Sequence, residues 1–295
     1  MNILFRCDSS DKIGQGHIRR DIILAKRLKK ENKIFFAVRD LPKNANYLID
    51  EAGFEKIILK SNDFEELKET IQKNKIDFLI IDHYEIDLDF EQKLKTLKIK
   101  TAAFDDFYAP HATDIVINPN LFANKKRYSQ EVWIPSPLID KRFFIKKRRF
   151  PKKPNKALIA FGGSDPKNCS VKILKQLPKK WQITVVTTSS NKNLRKLKKI
   201  KNIKLIIDSK NMPKLFEEHD IALISASTLS IEAIASKTPF IAIKTAQNQQ
   251  EVFRFLKRKR FKTLDKIKKI KIPAKEYKIM QNRAKLFRLK RQDGN

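Results

Sequence analysis

Short apolar runs alternate with charged, helix-period segments along almost the whole chain, and this alternation most constrains the fold. Runs rich in β-branched and aromatic residues occur at 2–7 (NILFRC), 33–38 (KIFFAV), 56–60 (KIILK), 77–82 (DFLIID), 100–105 (KTAAFD) and 114–118 (DIVIN). They resume at 156–162 (KALIAFG), 182–188 (QITVVTT), 203–208 (IKLIID), 221–226 (IALISA) and 239–244 (PFIAIK). Helical spacing falls near 17–30, 43–52, 63–74 and 87–97, then near 167–176, 191–200, 211–219, 228–236 and 247–259. Apolar strands separated by helices predict parallel sheets covered on both faces. The chain is therefore predicted to be α/β, with two Rossmann-like doubly wound domains facing across a cleft. Basic residues with Pro151 and Pro154 interrupt the pattern, so the expected division is 1–140, a linker at 141–155, and 156–262. The basic, helix-prone tail, 263–295, either packs back or hangs loose; the sequence leaves both open.

The chain has 295 residues, enough for two cores, and its 41% hydrophobic fraction is that of a soluble protein. No window holds the ~20 apolar residues of a membrane span, and the N-terminus lacks the order of a signal peptide. Cys7 and Cys169 are the only cysteines, which excludes a disulfide framework. A cytoplasmic protein with no membrane partner is expected. The formal charge of +32 comes from 65 Lys plus Arg against 33 Asp plus Glu. Those cations are spread over nearly every predicted helix, as solvated faces are, so a nucleic-acid partner is not expected. Their field favours a polyanionic small ligand such as a sugar nucleotide.

Four of the six glycines, Gly14, Gly16, Gly162 and Gly163, form two close pairs, each just after the first strand of a half. Such glycines permit a tight turn, and they leave a helix N-terminus free to face an anion. In FGGSD, 161–165, both readings apply, and Ser164 either caps the next segment or donates to phosphate. The first loop, DSSDKIGQGH, lacks the third glycine of a dinucleotide fingerprint, since Arg19 stands there. Near the end, SAST places Ser225, Ser227 and Thr228 at a helix start, as caps or as phosphate donors, with Glu232 one turn inside. The amides of AQNQQ, 246–250, suit sugar hydroxyl and acetamido groups.

Of the four histidines, His219 reads as a surface helix end. His17 follows the first strand, His83 follows a buried strand beside Asp82 and Tyr84, and His111 lies in a loop with Asp105, Asp106 and Asp114. Loops leaving parallel strands converge on one edge, so His17, Tyr84 and Asp105 can share a site. No His spacing supports a metal. A helix N-terminus disfavours a cationic imidazole, which leaves His17 in the neutral form able to take a proton from water; Asp8 or Asp11 is the acid expected to orient it.

FRCDSSDKIGQGHIRRD, LIIDHY, FDD…PHATDIVIN, FGGSD, ISAST…EA and NQ, in that order over about residues 1–250, resemble the UDP-2,4-diacetamido-2,4,6-trideoxy-β-L-altropyranose hydrolases of pseudaminic acid biosynthesis. Those enzymes have the glycosyltransferase-B fold and are similar to the UDP-N-acetylglucosamine transferase of peptidoglycan synthesis. The resemblance implies inverting hydrolysis at the anomeric carbon without metal or other cofactor, releasing UDP. It implies His17 as the base and Tyr84 beside the sugar, with Asp8, Gly14, Gly16, Arg20 and Asp105 lining that site. For the second half it implies Gly162, Gly163, Ser164, Ser227 and Thr228 at the pyrophosphate and Glu232 at the ribose. Asn248 falls at the sugar or its phosphate linkage, and the backbone around Met212 at uracil. The open alternatives are a glycosyltransferase of the same fold and a basic nucleic-acid-binding protein.

Overall fold

The computed structural model describes residues 1–267 and 270–289. These form two compact units, Met1–Leu138 and a second beginning at Ile139.

In the first unit the strands β1 (Asn2–Cys7), β2 (Lys33–Arg39), β3 (Glu55–Leu59), β4 (Phe78–Asp82), β5 (Lys100–Phe104), β6 (Ile115–Ile117) and β7 (Glu131–Trp133) form one parallel sheet. Its order is β3-β2-β1-β4-β5-β6-β7. The helices α1 (Gly16–Leu28), α2 (Tyr47–Glu51), α3 (Phe64–Lys73) and α4 (Leu88–Leu94) are the crossovers. Successive side chains of β1 feed opposite cores, as a pleated strand requires. Ile3, Phe5 and Cys7 pack with Ile18 and Ile22 of α1, whereas Leu4 packs with Leu67 and Ile71 of α3.

The second unit repeats the plan. Strands β8 (Lys156–Ala160), β9 (Gln182–Thr187), β10 (Ile203–Ile207), β11 (Ile221–Ser225), β12 (Phe240–Ile243) and β13 (Lys262–Leu264) lie in the order β10-β9-β8-β11-β12-β13, all parallel. The helices are α5 (Cys169–Leu174), α6 (Leu194–Lys198), α7 (Met212–Glu218), α8 (Thr228–Ala235), α9 (Gln250–Arg258) and α10 (Ala274–Leu286). In both units the first and fourth strands are neighbours, the point where a doubly wound sheet reverses direction and takes its ligands.

Several boundaries differ from those expected. β7 and β13 are three-residue edge strands, too short to show alternation. Part of the tail belongs to the second core: Tyr277 and Met280 of α10 pack with Ile159 and Leu223, and the Tyr277 hydroxyl donates to the Asp220 carbonyl at 3.1 Å. Residues 268, 269 and 290–295 of that tail lie outside the described residues. The stretch 141–155 lies in the second unit, where the Arg148 guanidinium donates to the carbonyls of Phe216 and Ser236 and to the Thr238 hydroxyl. His219 is not a surface residue. It is buried, with Nδ1 on the Leu215 carbonyl at 2.6 Å and Nε2 on the Thr184 hydroxyl at 2.7 Å, and burial holds its pKa down.

Candidate active site

The loop between β1 and α1 turns back on itself before the helix begins. The Ser10 hydroxyl accepts from the amides of Lys12 and Ile13, and the Gly14 amide donates to the Ser10 carbonyl at 2.8 Å. Gly14 has φ +84°, which a side-chain-bearing residue rarely adopts. A Cβ at Gly14 or Gly16 would meet nothing within 4 Å, so the approach to the first turn of α1 is open. His17 is the second residue of that helix.

β4 ends beside β1, with Cys7 and Asp82 as register partners. Asp82 therefore meets the start of α1. Its Oδ1 lies 2.6 Å from His17 Nδ1, and Arg20, one turn along α1, grips both carboxylate oxygens. Burial alone would raise the Asp82 pKa, but Arg20 and His17 outweigh it and hold the carboxyl well below the usual range. An ionised carboxylate only accepts, so the Nδ1 of His17 is the protonated nitrogen. Its Nε2 makes no hydrogen bond among the described residues and is left to take up a proton. The orienting acid is Asp82, not Asp8 or Asp11.

Arg20 also donates through Nη1 to both oxygens of Asp106, at 3.0 and 2.9 Å. Asp106 accepts in addition from the Tyr84 hydroxyl at 2.7 Å and from Asn120 Nδ2 at 2.7 Å. The Tyr84 ring stands edge-on to His17 with centroids 4.7 Å apart, and it is 57% exposed. His17, Arg20 and Tyr84 are thus brought together through Asp82 and Asp106. The cue for these acids was position: one ends a buried strand next to β1, and the other follows the next strand, β5.

Asp8 and Asp105 are placed differently. Asp8 is buried among Arg6, the amide and guanidinium of Arg39, and His83 Nε2, which together outweigh burial and hold its pKa down. His83 Nδ1 accepts the Glu85 amide, so this ring is engaged at both nitrogens. Asp105 accepts from the amides of Phe107, Tyr108 and Ala109 and from the Tyr128 hydroxyl, and so folds its own loop. Burial opposes its ionisation, but these donors and His111 hold its pKa at about 2. His111, between Glu91 at 2.8 Å and Asp105, is raised to about 9 despite burial.

In the second unit the nominated residues all follow the carboxyl ends of strands: Gly162, Gly163 and Ser164 after β8, Met212 after β10, Ser227 and Thr228 after β11, Asn248 after β12. The Gly163 carbonyl accepts from the hydroxyls of Thr187 and Thr188, at 3.1 and 3.0 Å. A Cβ at Gly163 would lie 2.9 Å from Thr188 Oγ1, so any side chain there would push Thr188 aside. Asp165, not Ser164, caps α5 by accepting the amides of Cys169 and Ser170. The Ser164 hydroxyl makes no hydrogen bond among the described residues. Ser227 caps α8 weakly, accepting the Leu229 amide at 3.4 Å, and shares a 2.9 Å contact with the Ser225 hydroxyl. Glu232 is half-buried in the second turn of α8, and Asn248 is exposed.

Among the described residues no three His, Cys, Asp or Glu side chains converge as metal donors would, and no helix is long and apolar enough to cross a membrane.

No family model matches the chain. Among solved structures it resembles Acinetobacter baumannii MurG, with TM-score 0.63 and 13% identity over 96% of this chain and 94% of that one. It also resembles the spinosyn rhamnosyltransferase SpnG, with TM-score 0.65 and 9% identity over 96% and 90%. At such identities these likenesses show the fold alone, that of the glycosyltransferase-B enzymes: two Rossmann-like domains. An uncharacterized protein of Methanocaldococcus jannaschii is 29% identical over 86% of this chain, which spans 57% of that protein's length. The UDP-2,4-diacetamido-2,4,6-trideoxy-β-L-altropyranose hydrolase of Campylobacter jejuni subsp. jejuni serotype O:2 is 38% identical over 272 residues, 88% of this chain and 97% of that enzyme. By that relationship the chain belongs to the UDP-2,4-diacetamido-2,4,6-trideoxy-β-L-altropyranose hydrolase family.

Proposed function

We propose that the protein hydrolyses a UDP-linked 2,4-diacetamido-2,4,6-trideoxy sugar at its anomeric carbon with inversion, releasing UDP and the free sugar used for pseudaminic acid. The observation that carries this reading is the His17–Asp82 pair, set where the first sheet reverses direction, with Nε2 unengaged. Water attacks the anomeric carbon and gives its proton to His17 Nε2. The bond from that carbon to the diphosphate oxygen breaks, and its electrons leave with UDP. As His17 becomes a cation, Asp82 stabilises it, the role a buried carboxylate has beside a histidine base.

The leaving group is already a diphosphate, so no strong general acid is needed. Amides and hydroxyls of 162–164 and 227–228 stabilise its charge, and no metal takes part. Glu232 binds the ribose, the backbone at Met212 the uracil, and Asn248 the sugar or its phosphate linkage. On the first unit, Gly14 and Gly16 give clearance for sugar and water, and Tyr84 positions one or the other. Arg20, Asp8 and Asp105 serve that site through the loops and carboxylates they hold.

The fold neighbours include a rhamnosyltransferase, which supports a second reading as a glycosyltransferase. One assay separates the two. Purified protein is followed by NMR with the UDP-sugar and no acceptor. Release of UDP and of free sugar, first seen as the inverted anomer, is the expected result. Turnover that begins only when an acceptor is added establishes the transferase instead.

A further inference from the structure

Asp21 lies one turn beyond His17 on the buried face of α1, with Ile18, Ile22 and Ala25. It is 0% exposed, and neither carboxyl oxygen accepts a hydrogen bond from an N–H or O–H donor among the described residues. The sheet surface beneath that face carries Cys7 and Asp82, which are register partners on β1 and β4. Asp21 and Asp82 thus lie next to each other with the Cys7 thiol, all three buried, and the charged groups facing them are His17 and Arg20 of α1 and Arg6 of β1, with Asp106 behind Arg20. Both of the Arg20 donors that enter the pocket go to Asp82, as does His17 Nδ1.

Two adjacent buried carboxyls do not both ionise; the charge falls on the one with donors, and the other keeps its proton. Burial first, and the charge of Asp82 second, hold the Asp21 carboxyl well above its usual range. Burial holds the Cys7 thiol up likewise.

We propose that Asp21 is a positioning residue, a carboxylic acid kept protonated beside Asp82 so that the pocket's single negative charge stays on Asp82 and His17 keeps its proton on Nδ1. This rests on the reading of His17 as the base. A second anion beside Asp82 would compete for the donors of His17 and Arg20 that fix the ring. A purely apolar residue would remove the O–H dipole that faces the Asp82 carboxylate.

The test uses the full-length protein and two variants. Infrared difference spectra of wild type against Asp21→Asn, at neutral pH, should show one protonated-carboxyl band lost. Loss of ionised-carboxylate bands instead overturns the proposal. In UDP release, Asp21→Asn, a neutral polar isostere, should keep kcat within about twofold and leave the acid limb of the kcat–pH profile in place. Asp21→Leu should lower kcat about tenfold with KM unchanged. An Asn variant as impaired as Leu, or a Leu variant as active as wild type, overturns it. The infrared arm is read from Asn alone, so a Leu variant that fails to fold does not blunt the test. Wild-type protein that releases no UDP defeats the hydrolase reading, while the infrared result still decides the protonation of Asp21.

Discussion

The two units share a strand order and a reversal point, yet their carboxyl edges are built from different materials. At the first edge, His17, Arg20, Asp82 and Asp106 form a chain of charge-assisted bonds, and Asp8 holds Arg6, Arg39 and His83 in another. At the second, the loops GGSD and SAST offer glycine, hydroxyls and amides, and their one charged residue, Asp165, is turned onto its own helix. A base needs its tautomer and direction fixed, which fixed charges do well. A diphosphate needs amide and hydroxyl donors at a helix start and close backbone approach. On the proposed function, one architecture serves two tasks, set by the loops and not by the sheet.

Changes at the first edge should reach turnover and spare nucleotide binding. His17→Leu should lower kcat by ~10²–10⁴, the usual contribution of a general base, as read by UDP release. Asp82→Asn should come next, lowering kcat by ~10²-fold or more, because the carboxamide no longer demands a protonated Nδ1. A variant with near-wild-type kcat would remove Asp82 from the mechanism.

At the second edge the expected pattern is reversed. Gly163→Ala forces Thr188 aside and should weaken UDP binding roughly tenfold by titration calorimetry, since the cost of a displaced hydrogen-bonded side chain is ~1–2 kcal/mol. Its kcat at saturating substrate should change much less. An unchanged UDP affinity would show that this loop does not hold the nucleotide.

The smallest effect concerns stability and pH. The His111 pKa rises from 6.5 to about 9 in the folded protein, so its contribution is fully present below pH 6.5 and is lost as pH climbs through about 9. Thermal melts of wild type and His111→Gln should therefore differ most at pH 6 and converge near pH 10. A constant difference across that range would place the His111 contribution in packing and not in charge.

The sheets, the paired glycines and the gathering of His17 and Tyr84 were legible because parallel strands in series place their following loops on one edge. Asp82 as the partner of His17 was not. It depends on the Cys7–Asp82 register and the phase of α1, which no local pattern encodes. Asp105 shares that edge by the same rule, but its carboxylate is taken up by the amides of its own loop, and its neighbour Asp106 meets Arg20 and Tyr84 instead. His219 looked exposed beside charged neighbours, and tertiary packing against Thr184 buried it. The three-residue strands β7 and β13 carry no period of their own, so only their partners reveal them.

The central claim, that chemistry and nucleotide binding are carried by different units, is tested most directly by titrating UDP into the His17→Leu protein. The account predicts a dissociation constant within about twofold of wild type in a protein whose turnover is lost. UDP binding that disappears together with turnover would contradict it.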